Sequence, residues 1–204
     1  MSPNIKLPQT REHARIGLLG GSFDPPHLGH TLLGLSFLSL EPIDELWVIP
    51  CANHAHKNIL SDFSHRFSLC HIAFSRIKNV HVLDIEQHLP APSYTIQTID
   101  YIKEKRPDVE LYLALGSDLL RGFDSWCRHH EIIAKSNIVI FERTGFAMNI
   151  PASLKKAHVH QGYALPDTTS SSVRDFLAQK KPLGPEPLLD SHVLDYIRQH
   201  KLYS

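Results

Sequence analysis

The chain has 204 residues, of which 42% are hydrophobic and 21% are charged, and its 21 Lys and Arg residues balance 21 Asp and Glu residues. These values exclude a disordered chain, and the absence of a basic excess argues against a protein that binds nucleic acid through its phosphates. No apolar run approaches the roughly 18–20 residues that a membrane-spanning helix needs, so no membrane partner is expected.

Residues 1–14 form a polar N-terminal tail without the apolar core of a secretory signal. The three cysteines, Cys51, Cys70 and Cys127, show no C-x-x-C spacing. An odd number of cysteines in this arrangement argues against a disulfide framework and fits a reducing compartment. We therefore expect a cytoplasmic protein.

Six short apolar runs are predicted as strands because each is bounded by glycine, proline or polar residues. They are residues 15–20, 45–50, 79–83, 110–115, 137–141 and, more weakly, 157–160.

Helical spacing of apolar residues alternates with these runs. The predicted helices are residues 29–40, 63–77, 93–104 with Ser93 as its cap, 128–135, 170–179 and 190–200. Three prolines, Pro182, Pro185 and Pro187, predict a linker between the last two helices.

Strands that alternate with helices and are apolar almost throughout predict a parallel sheet with both faces covered. Right-handed crossovers then make the fold class α/β, with a doubly wound Rossmann-like sheet and helices on both faces. We expect a tail over residues 1–14, a core over residues 15–166 and a small helical C-terminal piece over residues 167–204.

The strongest chemical signal is GGSFDPPHLGH, which runs from Gly20 to His30 at the end of the first predicted strand. Glycines there allow a sharp turn and a close approach of backbone to ligand, and the following helix N-terminus suits phosphate. His27 and His30 stand three residues apart and so share one face of that helix. Two imidazoles in this place can donate hydrogen bonds to a polyphosphate; the plainer interpretation is a glycine turn followed by two surface histidines.

GGSFDPPHLGH resembles the signature of the nucleotidylyltransferase superfamily, and its HxGH form after FDPP is similar to bacterial nicotinate-nucleotide adenylyltransferases. The resemblance extends from Ile16 to Tyr203 through five ordered blocks. These are IPCANHAHK with the following SHRFSL, PSYTIQT, GSDLLRGFDSW, DTTSSSVR and VLDYIRQHKLY. The resemblance implies transfer of the adenylyl group of ATP to nicotinic acid mononucleotide by direct in-line attack, in NAD biosynthesis.

The resemblance implies three overlapping groups of site residues. The catalytic residues would be His27, His30, Lys57 and Arg174. The ATP-binding residues would be Gly20, Gly21, Ser22, Phe23, His27, His30, Thr169, Ser170, Ser171 and Arg174. The mononucleotide-binding residues would be Lys57, Tyr94, Thr95, Gly116, Asp118, Trp126 and Arg143.

Several of these residues have plainer explanations as well. Lys57 could be a solvated loop charge, Asp118 a helix cap, Trp126 a packing residue, and residues 169–171 an ordinary Ser/Thr cap. His54 and His56 form an HxH pair without an identifiable third ligand, so no metal site of the protein itself is expected. Mg²⁺ is implied only as an ion carried by ATP.

Two segments expected beside the pyridine ring depart from the family pattern. NHAHK replaces a Pro-Pro-His-Lys ending, and FDSWCRHH lacks a second aromatic residue near Trp126. Nicotinamide mononucleotide therefore stays open as the acceptor. Two further hypotheses also stay open: a different phosphate acceptor such as phosphopantetheine, and a non-catalytic nucleotide-binding module. The oligomeric state is not predicted.

Overall fold

A parallel six-stranded sheet forms the centre of the structure, a computed structural model that describes residues 5–52, 61–162, 166–178 and 189–203. All adjacent strands pair in parallel, in the order β3-β2-β1-β4-β5-β6. The strands are β1 (Arg15–Gly21), β2 (Glu45–Pro50), β3 (Val80–Val82), β4 (Glu110–Gly116), β5 (Asn137–Phe141) and β6 (His158–His160).

Six α-helices accompany the sheet in the described residues. They are α1 (Leu28–Leu40), α2 (Phe63–Phe74), α3 (Thr95–Lys105), α4 (His129–Lys135), α5 (Ser170–Ala178) and α6 (Ser191–Gln199). Three 3₁₀ segments, which the sequence did not predict, occupy Ile85–His88, Ser117–Ser125 and Ala152–Leu154.

Alternate residues of each central strand enter two different cores, because successive side chains point to opposite faces of a sheet. In β4, Leu113 packs with residues of α3 and α4 such as Ile99 and Ile132. Its neighbour Ala114 belongs to the cluster that contains Phe37 of α1 and Phe74 of α2. The helices therefore cover both faces, which confirms the predicted α/β doubly wound fold.

The strand order reverses direction between β1 and β4, which are neighbours in the sheet but distant in the chain. In open α/β sheets, ligands bind outside the carboxyl ends of the strands at such a switch point. The loops after β1 and β4 are therefore the structural candidates for a binding site.

The predicted start of one helix was wrong. Ser93 does not cap α3, because Tyr94 occupies the N-cap position and its backbone N–H donates to Gln97 Oε1 at 2.7 Å. The Ser93 hydroxyl instead donates to the buried Glu86 carboxylate at 2.6 Å. Periodicity places a helix end only to within a few residues, and the partner of a serine lies in tertiary structure.

The last helix, α6, packs on α2 through Leu69, Val193 and Ile197. A partition of the chain at residues 166 and 167 stays a prediction, and the proline linker lies outside the described residues. Within the described residues, no helix has both the length and the apolar character that crossing a membrane would require.

Candidate active site

His27 and His30 form the centre of the candidate site at the start of α1. Their ring centroids are 3.9 Å apart, and the Phe23 ring lies 4.8 Å from that of His30. His27 is the N-cap residue of α1, and its backbone N–H donates to Nδ1 of His30 at 3.2 Å. This bond leaves the proton of the neutral His30 ring on Nε2, so Nε2 is the atom that can donate to a ligand.

Both histidines are neutral near pH 7 in the ligand-free protein. Burial, and then the positive charge of Arg143, lower the pKa of His27 to about 4. Burial also lowers the pKa of His30 well below its usual value, assisted by His27 and Arg143. Nδ1 of His27 is buried and has no hydrogen-bond partner among the described residues. The pair therefore resembles a preformed donor site that a polyanion would make more basic.

Arg143 joins the ends of β4 and β5 at this site. Its guanidinium donates to Asp118 at 2.9 Å, and its backbone N–H donates to the Ser117 hydroxyl at 2.9 Å. A Cβ on Gly116 would collide with the Asp118 carboxylate and would lie 2.9 Å from Cδ of Arg143. The missing side chain of Gly116 thus leaves the space that this ion pair occupies. Asp118 pairs with Arg143 and does not cap a helix.

The loop after β1 differs in detail from the expectation that its glycines make the turn. β1 continues through Gly21, and the left-handed backbone falls on Phe23, at φ 48°. Phe23 is buried beneath His30, so any ligand contact it makes would come from its backbone. A Cβ on Gly20 would meet no atom within 4 Å, which leaves room for a ligand to approach.

The predicted cap of α5 is present, and α5 holds the loop after β1. The Thr169 hydroxyl accepts from the Ser172 backbone N–H at 3.0 Å, and Ser172 accepts in return from Thr169 N–H at 3.1 Å. The hydroxyl of Ser170 donates to the Pro25 carbonyl at 2.9 Å.

Arg174, one turn further along α5, donates to the Asp24 carbonyl at 2.7 Å and to the Ser171 hydroxyl at 3.2 Å. The structure thus brings residues 169–174 to the loop before His27, although about 145 residues separate Ser170 from Pro25 in sequence.

Tyr94 and Thr95 stand at the N-terminus of α3, where backbone N–H groups can bind a carboxylate or a phosphate. Trp126 ends the 3₁₀ segment after β4, and its half-buried ring lies 5.4 Å from Phe123. Trp126 therefore combines a packed side with an accessible one. Whether these three residues contact a mononucleotide stays a prediction.

Three residues that the sequence did not single out support the site. Arg66 is 1% exposed and donates to the carbonyls of Ser22 at 2.8 Å and Cys51 at 2.6 Å. Glu86 is 8% exposed and accepts from the Ser93 hydroxyl and from the Ala52 backbone N–H at 3.3 Å. Tyr203 donates to the Asp24 carboxylate at 2.7 Å. For Arg66, the one available signal in the sequence was a charged residue placed among the apolar positions of the helical block SHRFSL.

Lys57, with His54 and His56, lies outside the described residues. In the part of the chain that the structure describes, no three His, Cys, Asp or Glu side chains are grouped so as to hold a metal ion. The acidic side chains near the site are engaged by protein groups, Asp118 by Arg143 and Asp24 by Tyr203.

Known proteins resemble this chain over the segment that carries most of these site residues. The cytidylyltransferase-like family model matches residues 18–179. A protein of Bacillus licheniformis called a probable nicotinate-nucleotide adenylyltransferase is 30% identical over 191 residues, which cover 93% of this chain and 98% of that protein. The nicotinate-nucleotide adenylyltransferase of Bacillus subtilis is 28% identical over the same shares of the two chains.

A solved structure shows the same likeness in three dimensions. Plasmodium falciparum nicotinic acid mononucleotide adenylyltransferase complexed with NaAD matches with a TM-score of 0.82 and 26% identity, over 94% of this chain and 98% of that one. The same enzyme complexed with APC matches with a TM-score of 0.79. The family model matches most of the chain, and the relatives match 93% of it. This chain is therefore a nucleotidyltransferase of the cytidylyltransferase-like family and belongs to the nicotinate-nucleotide adenylyltransferases.

Proposed function

We propose that this enzyme transfers the adenylyl group of ATP to nicotinic acid mononucleotide, and that it does so as a step of NAD biosynthesis. The observation that carries the proposal is the close pair of His27 and His30, whose ring centroids lie 3.9 Å apart at the switch point of the sheet. Burial, together with the charge of Arg143, lowers the pKa of both rings. The names of the relatives, and the NaAD bound to the Plasmodium enzyme, support the choice of acceptor.

The reaction is a direct in-line displacement. A phosphate oxygen of the mononucleotide attacks the α-phosphorus of ATP, the bond from that phosphorus to the bridging oxygen breaks, and the electron pair leaves with pyrophosphate. Negative charge grows on the departing pyrophosphate. Donors that are already in place stabilise it without reorganisation, and Nε2–H of His30 is such a donor.

The ATP side of the site comprises the loop after β1 and the start of α5. Residues proposed to contact ATP are Gly20, Gly21, Ser22, Phe23, His27, His30, Thr169, Ser170, Ser171 and Arg174. Their support is proximity, because Ser170 and Arg174 already hydrogen-bond the backbone of the loop before His27. A bound polyphosphate would compete for the Arg174 guanidinium, whose planar group suits phosphate oxygens.

The mononucleotide side comprises the N-terminus of α3 and the segments after β4 and β5. Tyr94 and Thr95 offer backbone N–H groups to a carboxylate, and Trp126 offers a ring for stacking on the pyridine. Gly116, Asp118 and Arg143 stay in this group, with Lys57 from outside the described residues. The positive charge of Arg143 lies close enough to His27 and His30 to lower the pKa of both rings. The same charge would also stabilise negative charge at the reacting phosphates.

We further propose that Mg²⁺ enters on the ATP phosphates and keeps much of its water. This arrangement fits the donor set, since the Asp24 and Asp118 carboxylates are engaged by Tyr203 and Arg143. Bound in this way, the ion neutralises phosphate charge. A cytoplasmic location, and partners limited to these small molecules rather than nucleic acid or membrane, complete the proposal.

Steady-state kinetics with competing acceptors tests the function. The purified protein is given MgATP with nicotinic acid mononucleotide, nicotinamide mononucleotide or phosphopantetheine, and dinucleotide and pyrophosphate are measured. The proposal predicts the highest kcat/KM for nicotinic acid mononucleotide. A higher value for either other acceptor, or binding of both substrates without pyrophosphate release, would overturn it.

A further inference from the structure

The loop that leads into His27 is held by its carbonyl oxygens. The Ser22 carbonyl accepts from Arg66 of α2, the Asp24 carbonyl from Arg174 of α5, and the Pro25 carbonyl from Ser170 of α5. A loop that binds anions must present N–H groups to them and turn its carbonyls away. Side chains from two helices satisfy these carbonyls and so fix the orientation of the loop.

Asp24 places a negative charge in this same loop, three residues before His27. Asp24 is 3% exposed, and its Oδ1 accepts from the Tyr203 hydroxyl at 2.7 Å. The positive charge of the Arg66 guanidinium also interacts with the Asp24 carboxylate. A carboxylate free to turn toward a bound triphosphate would repel it strongly in such a buried setting. The orientation of Asp24 therefore matters for an anionic ligand.

Tyr203 reaches Asp24 from a firmly anchored element. It lies in the turn after α6, which packs on α2 through Val193 and Ile197, and the Leu202 backbone N–H donates to the Ile197 carbonyl at 3.0 Å. Tyr203 has a left-handed backbone at φ 61°, which is unfavourable for a residue with a side chain. Such a conformation persists where surrounding contacts demand it. Burial raises the pKa of Tyr203, so its hydroxyl remains a donor at any working pH.

We propose that Tyr203 is a positioning residue of the ATP site: its hydroxyl holds the Asp24 carboxylate away from the polyphosphate. The inference rests on the proposed function, because it needs a polyphosphate beside residues 22–27. It makes the turn after α6 part of the nucleotide site, although 179 positions separate Tyr203 from Asp24. Tyr203 touches no reacting atom and acts through Asp24.

Tyr203→Phe tests the proposal, with Tyr196→Phe as the matched control. Tyr196 belongs to the same packed unit, and its hydroxyl forms a hydrogen bond with Nδ1 of His65 in α2 at 3.1 Å. Each variant loses one hydroxyl, and the thermal midpoint of each is measured. We expect Tyr203→Phe to raise KM for ATP about tenfold, as loss of a hydrogen bond to a charged group does. KM for the mononucleotide in this variant, and both KM values in Tyr196→Phe, should stay within about twofold of the parent values.

A second substitution separates charge from packing. Asp24→Asn in the Tyr203→Phe background removes the repelling charge and should restore KM for ATP to within about threefold of the parent value. An equal rise of both KM values in Tyr203→Phe, an equal effect of Tyr196→Phe, or no recovery in the double variant would overturn the proposal. Calorimetric titration of MgATP alone gives the same comparison without an acceptor. Absence of turnover in the parent enzyme would count against the proposed function, and unequal ATP affinities of the two phenylalanine variants would still support this inference.

Discussion

His30 has two distinct ring nitrogens: Nδ1 accepts from the backbone N–H of His27, which leaves the proton of the neutral ring on Nε2 as a donor. A capping box usually places Glu or Gln at this third helical position. The imidazole keeps the cap and adds an Nε2–H donor, which the proposed mechanism places against the departing pyrophosphate. In that mechanism, the geometry of the helix and catalysis use the same side chain.

His30→Gln tests that combination. Glutamine can still accept from the His27 N–H, so α1 should start as before, but the imidazole donor is lost. We expect kcat to fall by a factor of about 10² or more, with modest changes in both KM values, because the contact strengthens in the transition state. His30→Ala should lose at least as much. The control is His81→Ala, on the edge strand β3, where Nε2 of His81 lies 3.4 Å from a Glu45 carboxylate oxygen; this variant should keep normal turnover. Unchanged turnover in both His30 variants would remove His30 from the mechanism.

The lowered pKa values of His27 and His30 also affect stability. The unfolded chain binds protons on these residues below about pH 6.5, whereas the folded protein does not until about pH 4 for His27. The free energy of unfolding should therefore fall as the pH decreases from about 6.5 towards 4, by at most about 1.4 kcal/mol per pH unit for each histidine. Denaturant unfolding of the ligand-free protein measures this slope. The double variant His27→Gln, His30→Gln should show a shallower slope, and an identical slope in both proteins would show that the two rings are not desolvated.

At the scale of elements, the segment after β4 depends on a glycine. A side chain at Gly116 would strike Asp118 and Arg143, whereas one at Gly122, in the 3₁₀ segment nearby, would meet nothing within 4 Å. Gly116→Ala should separate the ion pair and lower kcat/KM about tenfold or more, while Gly122→Ala should stay within about twofold of the parent. Kinetics of the two variants, with circular dichroism to verify folding, check this. Equal activities would mean that the pair can shift without consequence.

The start of α3 depends on a buried carboxylate. Glu86 connects Ser93, just before Tyr94, to the Ala52 backbone after β2, and burial raises its pKa. Glu86→Gln should weaken one of these bonds and raise KM for the mononucleotide about three- to tenfold, with KM for ATP unchanged. Glu104→Gln, on the exposed side of α3, is the matched control. A rise in KM for ATP alone would show that Glu86 orients the other half of the site.

Much of the fold was predictable at this scale because strands and helices alternate with clear periodicity. In the part of the chain that the structure describes, the six strands and six α-helices lie within a few residues of their predicted positions. The exact first residue of α3 was not predictable. Ser93 is a good capping residue by type, but its hydroxyl donates to Glu86 instead of capping the helix. The 3₁₀ segment Ser117–Ser125 was missed as well, because its short turns give no extended periodicity.

At the scale of the whole molecule, the switch point between β1 and β4 gathers segments that are distant in sequence. The sequence motif located His27 and His30, and the strand order explains why Gly116, Asp118 and Arg143 come to the same edge. The supporting contacts were beyond sequence analysis. Arg66 with Ser22 and Tyr203 with Asp24 join residues from different layers, and no local pattern encodes which side chains meet there.

The most direct measurement is a crystal structure of the enzyme bound to Mg²⁺ and a non-hydrolysable analogue of ATP. If the two histidines stabilise the departing pyrophosphate, a ring nitrogen of each should lie within about 3.2 Å of a phosphate oxygen. For His30, that nitrogen should be Nε2, with Nδ1 still accepting from His27. Rings that both point away from the phosphates, with the nucleotide held by other elements, would contradict the proposed mechanism.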